Sequence, residues 1–282
     1  MKYLSRHTFD DSTALDDLSN SKANIAIILN NGAKHSLLEL YKTYPNCISN
    51  PSIVTSKIKH LQVAKALLIA AYESPPIAIL SLKKTVQHKL SPNVCPMCGS
   101  LKTGTADHYF PKEDYPEFSI YSWNLIPACD CNTKRNTALF GGKIDEWIIH
   151  PYYERLLVNR IITVTFDFSV GEPSLGIGAI YPAGIPSVRI DFHIDKIHRK
   201  TTMLDWVIAE WALLRELPCD AMTWTPSAPV TIQEVTNRLT ELMNANDRKL
   251  GTPNNWASAL FHGVISSPRA AKMVMEAVNR AI

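Results

Sequence analysis

The stretch from Val94 to Asn136 restricts what this chain of 282 residues can fold into more than any other. It reads VCPMCGS, then TADHYFPKEDYPEFS, then WNLIPACDCNTKRN. Cys95-x2-Cys98 is half of a zinc knuckle, and Cys129-x-Cys131 supplies the other half. Four thiolates at about 2.3 Å from one zinc would tie the two ends of the stretch together. That closure would hold Asp107, His108 and Asn124 on the enclosed loop, with Asn132 directly after the last cysteine. A closed structural zinc beside an Asp/His/Asn set points to a second, divalent cation that does chemistry. The competing reading completes the zinc site with another group and leaves one cysteine idle.

The cysteine count supports metal over disulfides. Of six cysteines, four are paired at metal spacing, while Cys47 and Cys219 read as ordinary semi-buried thiols. The opening MKYLSRHTFDD lacks a signal-peptide core, and no apolar run approaches the ~18 residues of a membrane span, so a reducing cytoplasm without membrane contact is expected. Net charge is only +3, so a nucleic-acid footprint must come from local patches. One such patch is lysine-rich: Lys57, Lys59, Lys65, Lys83, Lys84, Lys89 and Lys102 face only Glu73 between positions 51 and 105. A solvated helix face and a phosphate-contacting surface explain it about equally well.

The flanks divide into three regions: 1–90 mainly helical, 91–155 around the cysteines, and 156–282 mixed. Asp10, Asp11, Ser12 and Thr13 can cap a short helix, and 25–29 reads as helix or strand. Residues 36–44 are helical in character and stop at Pro45. Val54, Ile58, Leu61, Ala64, Leu68 and Tyr72 recur at helical spacing over 52–73, ended by Pro75-Pro76, and a helix over 77–90 follows. A strand over 105–108, a return strand over 123–127 and a helix from about Cys131 complete the middle. Both 161–168 and 188–194 alternate with period two and read as strands, joined by Gly- and Pro-rich sequence. Helices are expected at 202–217, 230–248, 254–265 and 268–281, with Trp206 and Trp211 as core anchors. The class is α+β.

On CPMCG, DHYFPK, the NLIPAC run and CNTKR, the middle region resembles the HNH nucleases. Many members staple a ββα-metal core with a four-cysteine zinc. The likeness covers 94–136 and extends to HPYYE at 150–154. It departs at the last cysteine pair, where only Asp130 intervenes in place of the usual two residues. The resemblance implies that His108 is the general base that activates water, an imidazole being mostly neutral at cellular pH. It implies that Asp107 and Asn132 hold Mg²⁺ or Mn²⁺, and that Asn124 braces the loop by bonding its backbone. Arg135, one helical turn after Asn132, and Lys112 are candidate phosphate contacts, each readable instead as a surface cation. His150 is a candidate substrate contact, although His-Pro at an element end is more often a capped turn.

The expected activity is metal-dependent cleavage of DNA. Some nucleases with this DHYFPK type of core look like effectors of bacterial anti-phage systems, including the Septu type, where the nuclease acts with an ATPase. The chain has no G-x4-GK[ST] motif, so ATP-dependent gating would need a partner protein. Two alternatives stand beside this: an RNA nuclease, for example on tRNA, and a zinc-knuckle nucleic-acid module without cleavage.

Overall fold

Helical stripes dominate both flanks, and among the described residues strands are confined to two separate antiparallel hairpins, an α+β arrangement. The computed structural model describes residues 1–49 and 62–282. Lys57, Lys59 and the first part of the helix expected over 52–73 lie outside the described residues.

The N-terminal region stacks α1 (Asp11–Ser19), α2 (Ile25–Ile28), α3 (Lys34–Ser49), α4 (Gln62–Glu73) and α5 (Ile77–Lys84). Asp10 caps α1 by accepting from the Thr13 amide at 3.0 Å, which satisfies one of the unpaired donors of a first turn. The stop expected at Pro45 is wrong: α3 runs through it to Ser49. Proline cannot donate to the carbonyl four residues back, and that carbonyl, Tyr41 O, accepts from the Tyr121 hydroxyl at 3.4 Å instead. A tertiary donor thus replaces the missing helical one.

The middle region follows with β1 (Thr105–His108), β2 (Leu125–Ala128) and the one-turn helix α6 (Cys131–Lys134). Asp107 pairs with Ile126 and His108 with Leu125. The connection between the strands folds inward, with Tyr109, Phe110, Phe118 and Tyr121 buried around Tyr44 of α3. These residues join the N-terminal helices and the cysteines in one core.

Downstream, β3 (Ile162–Asp167) pairs with β4 (Ser174–Ala179), then α7 (Ser187–Lys196), α8 (Met203–Glu216), α9 (Pro218–Ala221), α10 (Ile232–Leu250), α11 (Trp256–Ser266) and α12 (Pro268–Ala281) build a second core. The strand expected over 188–194 is a helix, and the partner of β3 comes from the Gly/Pro-rich linker. Alternation misled because Ile190, His193, Ile194 and Ile197 also fall on one helical face, and that face is the buried one. In β4 a Cβ on Gly178 would lie 2.6 Å from the Thr165 and 3.3 Å from the Thr163 methyl of β3, so glycine leaves room for both. α10 is closed by a capping box at Thr231 and Glu234 and by left-handed Gly251.

Among the described residues no single helix is long and apolar enough to cross a membrane. One pair, Ala64–Glu73 with Ile77–Lys89, passes on length and composition together but is bent by 56°.

Candidate metal centre and the adjoining Asp-His site

Four buried cysteines converge where β2 ends and α6 begins. The Sγ atoms of Cys95, Cys98, Cys129 and Cys131 all lie within 4.8 Å of one another. Cys95 and Cys131 are 3.7 Å apart and Cys98 and Cys129 3.5 Å. Tetrahedral sulfurs about 2.3 Å from a zinc stand about 3.8 Å apart, so the cluster can hold a metal such as zinc. The shortened Cys129-x-Cys131 pair closes the set because Cys131 opens α6, which turns its sulfur back toward Cys129. Backbone amides already point at the sulfurs: Cys129 N–H at Cys95 Sγ (3.4 Å) and Cys131 N–H at Cys129 Sγ (3.3 Å). Such N–H···S bonds stabilise thiolate, the form a metal takes.

The first knuckle depends on Gly99. Its φ of +81° lets its amide reach Cys95 O at 2.9 Å, and an added Cβ would lie 2.1 Å from Asn254 O. The knuckle is also anchored from the C-terminal region. His193 Nε2–H donates to Met97 O at 2.8 Å and Trp256 Nε1–H to Cys98 O at 2.8 Å. Burial pushes the His193 imidazole down to about 3, which keeps its other nitrogen free to accept the Ile149 amide.

Next to the cluster, β1 delivers Asp107 and His108. The Asp107 carboxylate is part-exposed; Oδ1 accepts from the His108 amide at 2.8 Å and Oδ2 from the Thr133 hydroxyl at 3.2 Å. His108 is 5 % exposed, and Nε2 donates to Ser119 O at 2.8 Å. A carbonyl only accepts, so Nε2 carries the proton and Nδ1 keeps its lone pair. Burial pushes this imidazole down to about 4, against the Ser119 bond and the Asp107 charge, which raise it. The Tyr72 ring stands edge-on with its centroid 4.2 Å from that of His108, its hydroxyl on Ala106 O, and Lys83 Nζ lies over the same tyrosine ring, 4.1 Å from its centroid.

The remaining candidates divide between bracing and the surface. Asn124 fills all its hydrogen-bonding positions: Oδ1 accepts from Tyr44 Oη (2.8 Å) and the Phe110 amide (2.7 Å), and Nδ2 donates to Phe110 O (3.1 Å) and Phe118 O (3.0 Å). Asn132 is 3 % exposed; its Nδ2 donates to His108 O at 2.8 Å and its Oδ1 accepts from Arg135 Nε at 2.6 Å. A cation beside that oxygen would face a guanidinium, so the Asn132 oxygen does not suit the divalent-ion role that the resemblance implies for it. Arg135 is 4 % exposed and also donates to the carbonyls of His108, Tyr109 and Ala138. In this arrangement it clamps the end of β1 instead of offering itself to a phosphate. Lys112 is ion-paired with Glu113 at 2.6 Å and Glu73 at 3.2 Å; burial opposes its charge, but the two carboxylates outweigh burial and hold its pKa above the usual lysine value.

His150 is fully buried: its Nδ1 accepts from the Tyr152 amide at 3.2 Å and its Nε2 contacts Tyr44 Oη at 3.2 Å. That is a capped turn in the core. Thr133, Tyr72 and the Ser119 carbonyl touch the Asp-His pair without having been singled out in the sequence. Only Tyr72 left a trace there, as the last residue of a helical stripe that reads simply as core.

No family model matches the chain, and no solved structure matches it. A stretch of 81 residues, 28 % of this chain, is 37 % identical to Protein ea31 of Escherichia phage lambda. The alignment covers 27 % of that protein, so the chain spans less than a third of that relative's length.

Proposed function

We propose that the chain is a metal-dependent HNH-type endonuclease that hydrolyses phosphodiester bonds in DNA, with zinc in the four-cysteine cluster. The observation that carries the reading is one juxtaposition. The Asp107-His108 pair ends β1 against the helix that begins with the last cysteine of the cluster, and Thr133 of that helix bonds Asp107. In this reading β1, β2 and α6 form the ββα core.

His108 takes the proton of the attacking water at Nδ1, because Nε2 is committed to Ser119 O. Its depressed pKa keeps it neutral at pH 7, the form a base needs. Asp107 orients the pair through the His108 amide and offers its carboxylate to Mg²⁺ or Mn²⁺. Such an ion, when bound, neutralises charge on the phosphate and the leaving oxygen. Asn132 and Arg135 hold the His108 carbonyl, and Asn124 holds the returning loop, so these three position the base. The role in anti-phage defence, with an ATPase partner, is part of the same proposal.

A second reading, a nucleic-acid-binding zinc module without cleavage, draws on the burial of His108 and the fully occupied amide of Asn132. Supercoiled plasmid and tRNA offered side by side with Mg²⁺ or Mn²⁺, alongside co-expressed neighbours of the chain, separate the readings. Plasmid cleavage that drops about 10²- to 10⁴-fold in His108→Ala supports the proposal. Preferred tRNA cleavage would move the substrate to RNA. Cleavage at the wild-type rate by His108→Ala would end the HNH reading, and binding without cleavage would leave the module.

A further inference from the structure

A cavity of about 630 Å³ opens between the cysteine cluster and the C-terminal helices, within the range of small-molecule sites. On the cluster side it is lined by Leu101, Lys102, Cys129 and Lys134; on the other, by Trp206 of α8, Lys249 of α10 and Trp256 of α11. The two indoles are half-buried, their centroids 5.9 Å apart at 52°, and form a V-shaped aromatic floor. The bond from Trp256 Nε1 to Cys98 O fixes one of these rings to the cysteine cluster. Lys102, Lys134 and Lys249 are exposed around it. Lys134 is paired at 2.8 Å with Asp130, which also lines the cleft, while Lys102 and Lys249 have no ion pair among the described residues.

An apolar aromatic floor rimmed by unpaired ammonium groups is the chemistry that recognises a nucleotide. A base stacks on indole whatever its identity, and a phosphate suits a lysine. We infer that this cleft takes one unpaired nucleotide, its base against Trp206 and Trp256 and its phosphate towards Lys102 and Lys249. Where the nucleotide belongs to a substrate strand, the inference rests on the nucleic-acid reading above. The single turn of α6 connects the two places: Thr133 touches Asp107, and Lys134 lines the cleft. A base held here would anchor a strand against the same short helix that contacts Asp107. Trp206, expected as a core anchor, is therefore a wall of the cleft, whereas Trp211 is buried in the core.

Binding without added divalent ions tests this apart from cleavage. A labelled single-stranded pentanucleotide is followed by fluorescence anisotropy, and AMP by calorimetry, on wild type, Trp206→Leu and Lys102→Gln/Lys249→Gln. Loss of the indole should weaken the pentanucleotide about 5- to 150-fold, and the lysine pair should flatten the log–log salt slope by about 1.4. AMP binding with the same dependence makes a free nucleotide the ligand; pentanucleotide binding alone makes it a strand. Absence of binding by both, or unchanged affinity and salt slope in both variants, overturns the inference. Lysine dependence with an unchanged Trp206→Leu overturns the stacking assignment, and if Trp206→Leu does not fold, Trp206→Met, which keeps apolar bulk without a ring, takes its place. Nucleotide binding by a chain that cleaves nothing would keep this inference and lose the nuclease.

Discussion

The side-chain amide of Asn132 donates to the main-chain carbonyl of His108 at 2.8 Å, across from α6 to the end of β1. Arg135 bonds both the Asn132 oxygen and the same His108 carbonyl, so two residues lock the strand end that presents the imidazole. The resemblance implies a cation ligand at Asn132, and Arg135 reads as a phosphate clamp or a surface cation; packed, the two are a brace.

Arg135→Ala should destabilise the fold by about 3 kcal/mol or more, because it strands several buried acceptors that now receive charged donors. Arg135→Lys should recover only part of this, since one ammonium cannot reproduce the planar fork. Urea unfolding of both variants checks the order. A surface-type loss near zero for Arg135→Ala would remove the brace.

The cysteine cluster should bind one metal per chain, released when Cys95 and Cys98 are replaced by serine. Elemental analysis should find zinc in the wild type and little in the variant, and a chelator should lower the unfolding temperature. Gly99→Ala should share the defect, because its left-handed backbone and the 2.1 Å approach to Asn254 O leave no room for a methyl. Equal zinc in wild type and Cys95→Ser/Cys98→Ser would refute the four-cysteine site.

Stability should fall on acidification through His150. Burial, with Arg189 and Arg135 nearby, holds its folded pKa well below 6.5, and protonation would break the bond in which Nδ1 accepts the Tyr152 amide. The unfolded chain therefore binds a proton first. Stability is full above about pH 6.5 and falls as pH drops from there toward the folded pKa, by up to about 1.4 kcal/mol per pH unit. His150→Gln should flatten the slope of unfolding free energy between pH 7 and pH 5, and an unchanged slope would assign the effect to other groups.

Part of what the Tyr121 hydroxyl contributes should arise because Pro45 cannot donate. Tyr121→Phe should cost about 0.5–1.5 kcal/mol in the wild type and less in Pro45→Ala, where an amide again faces Tyr41 O. Additive losses in the double-mutant cycle would separate the two residues.

By itself the sequence determined the local chemistry. It set the metal-ligating spacing of the cysteines, the hairpin from Thr105 to Ala128, and the C-terminal helices punctuated by prolines, because each follows from short-range geometry. The tertiary structure decided what local patterns leave open. Ile190, Phe192 and Ile194 suit a strand or a helix equally until β4 takes the edge of β3. Pro45 breaks a helix until a distant tyrosine supplies a donor. That Asn132 and Arg135 form a brace could not be read locally, because their partners, the His108 and Tyr109 carbonyls, lie more than twenty residues away. The Trp206–Trp256 cleft exists only where two regions of the chain meet, since a contact between residues fifty apart follows from packing and not from spacing.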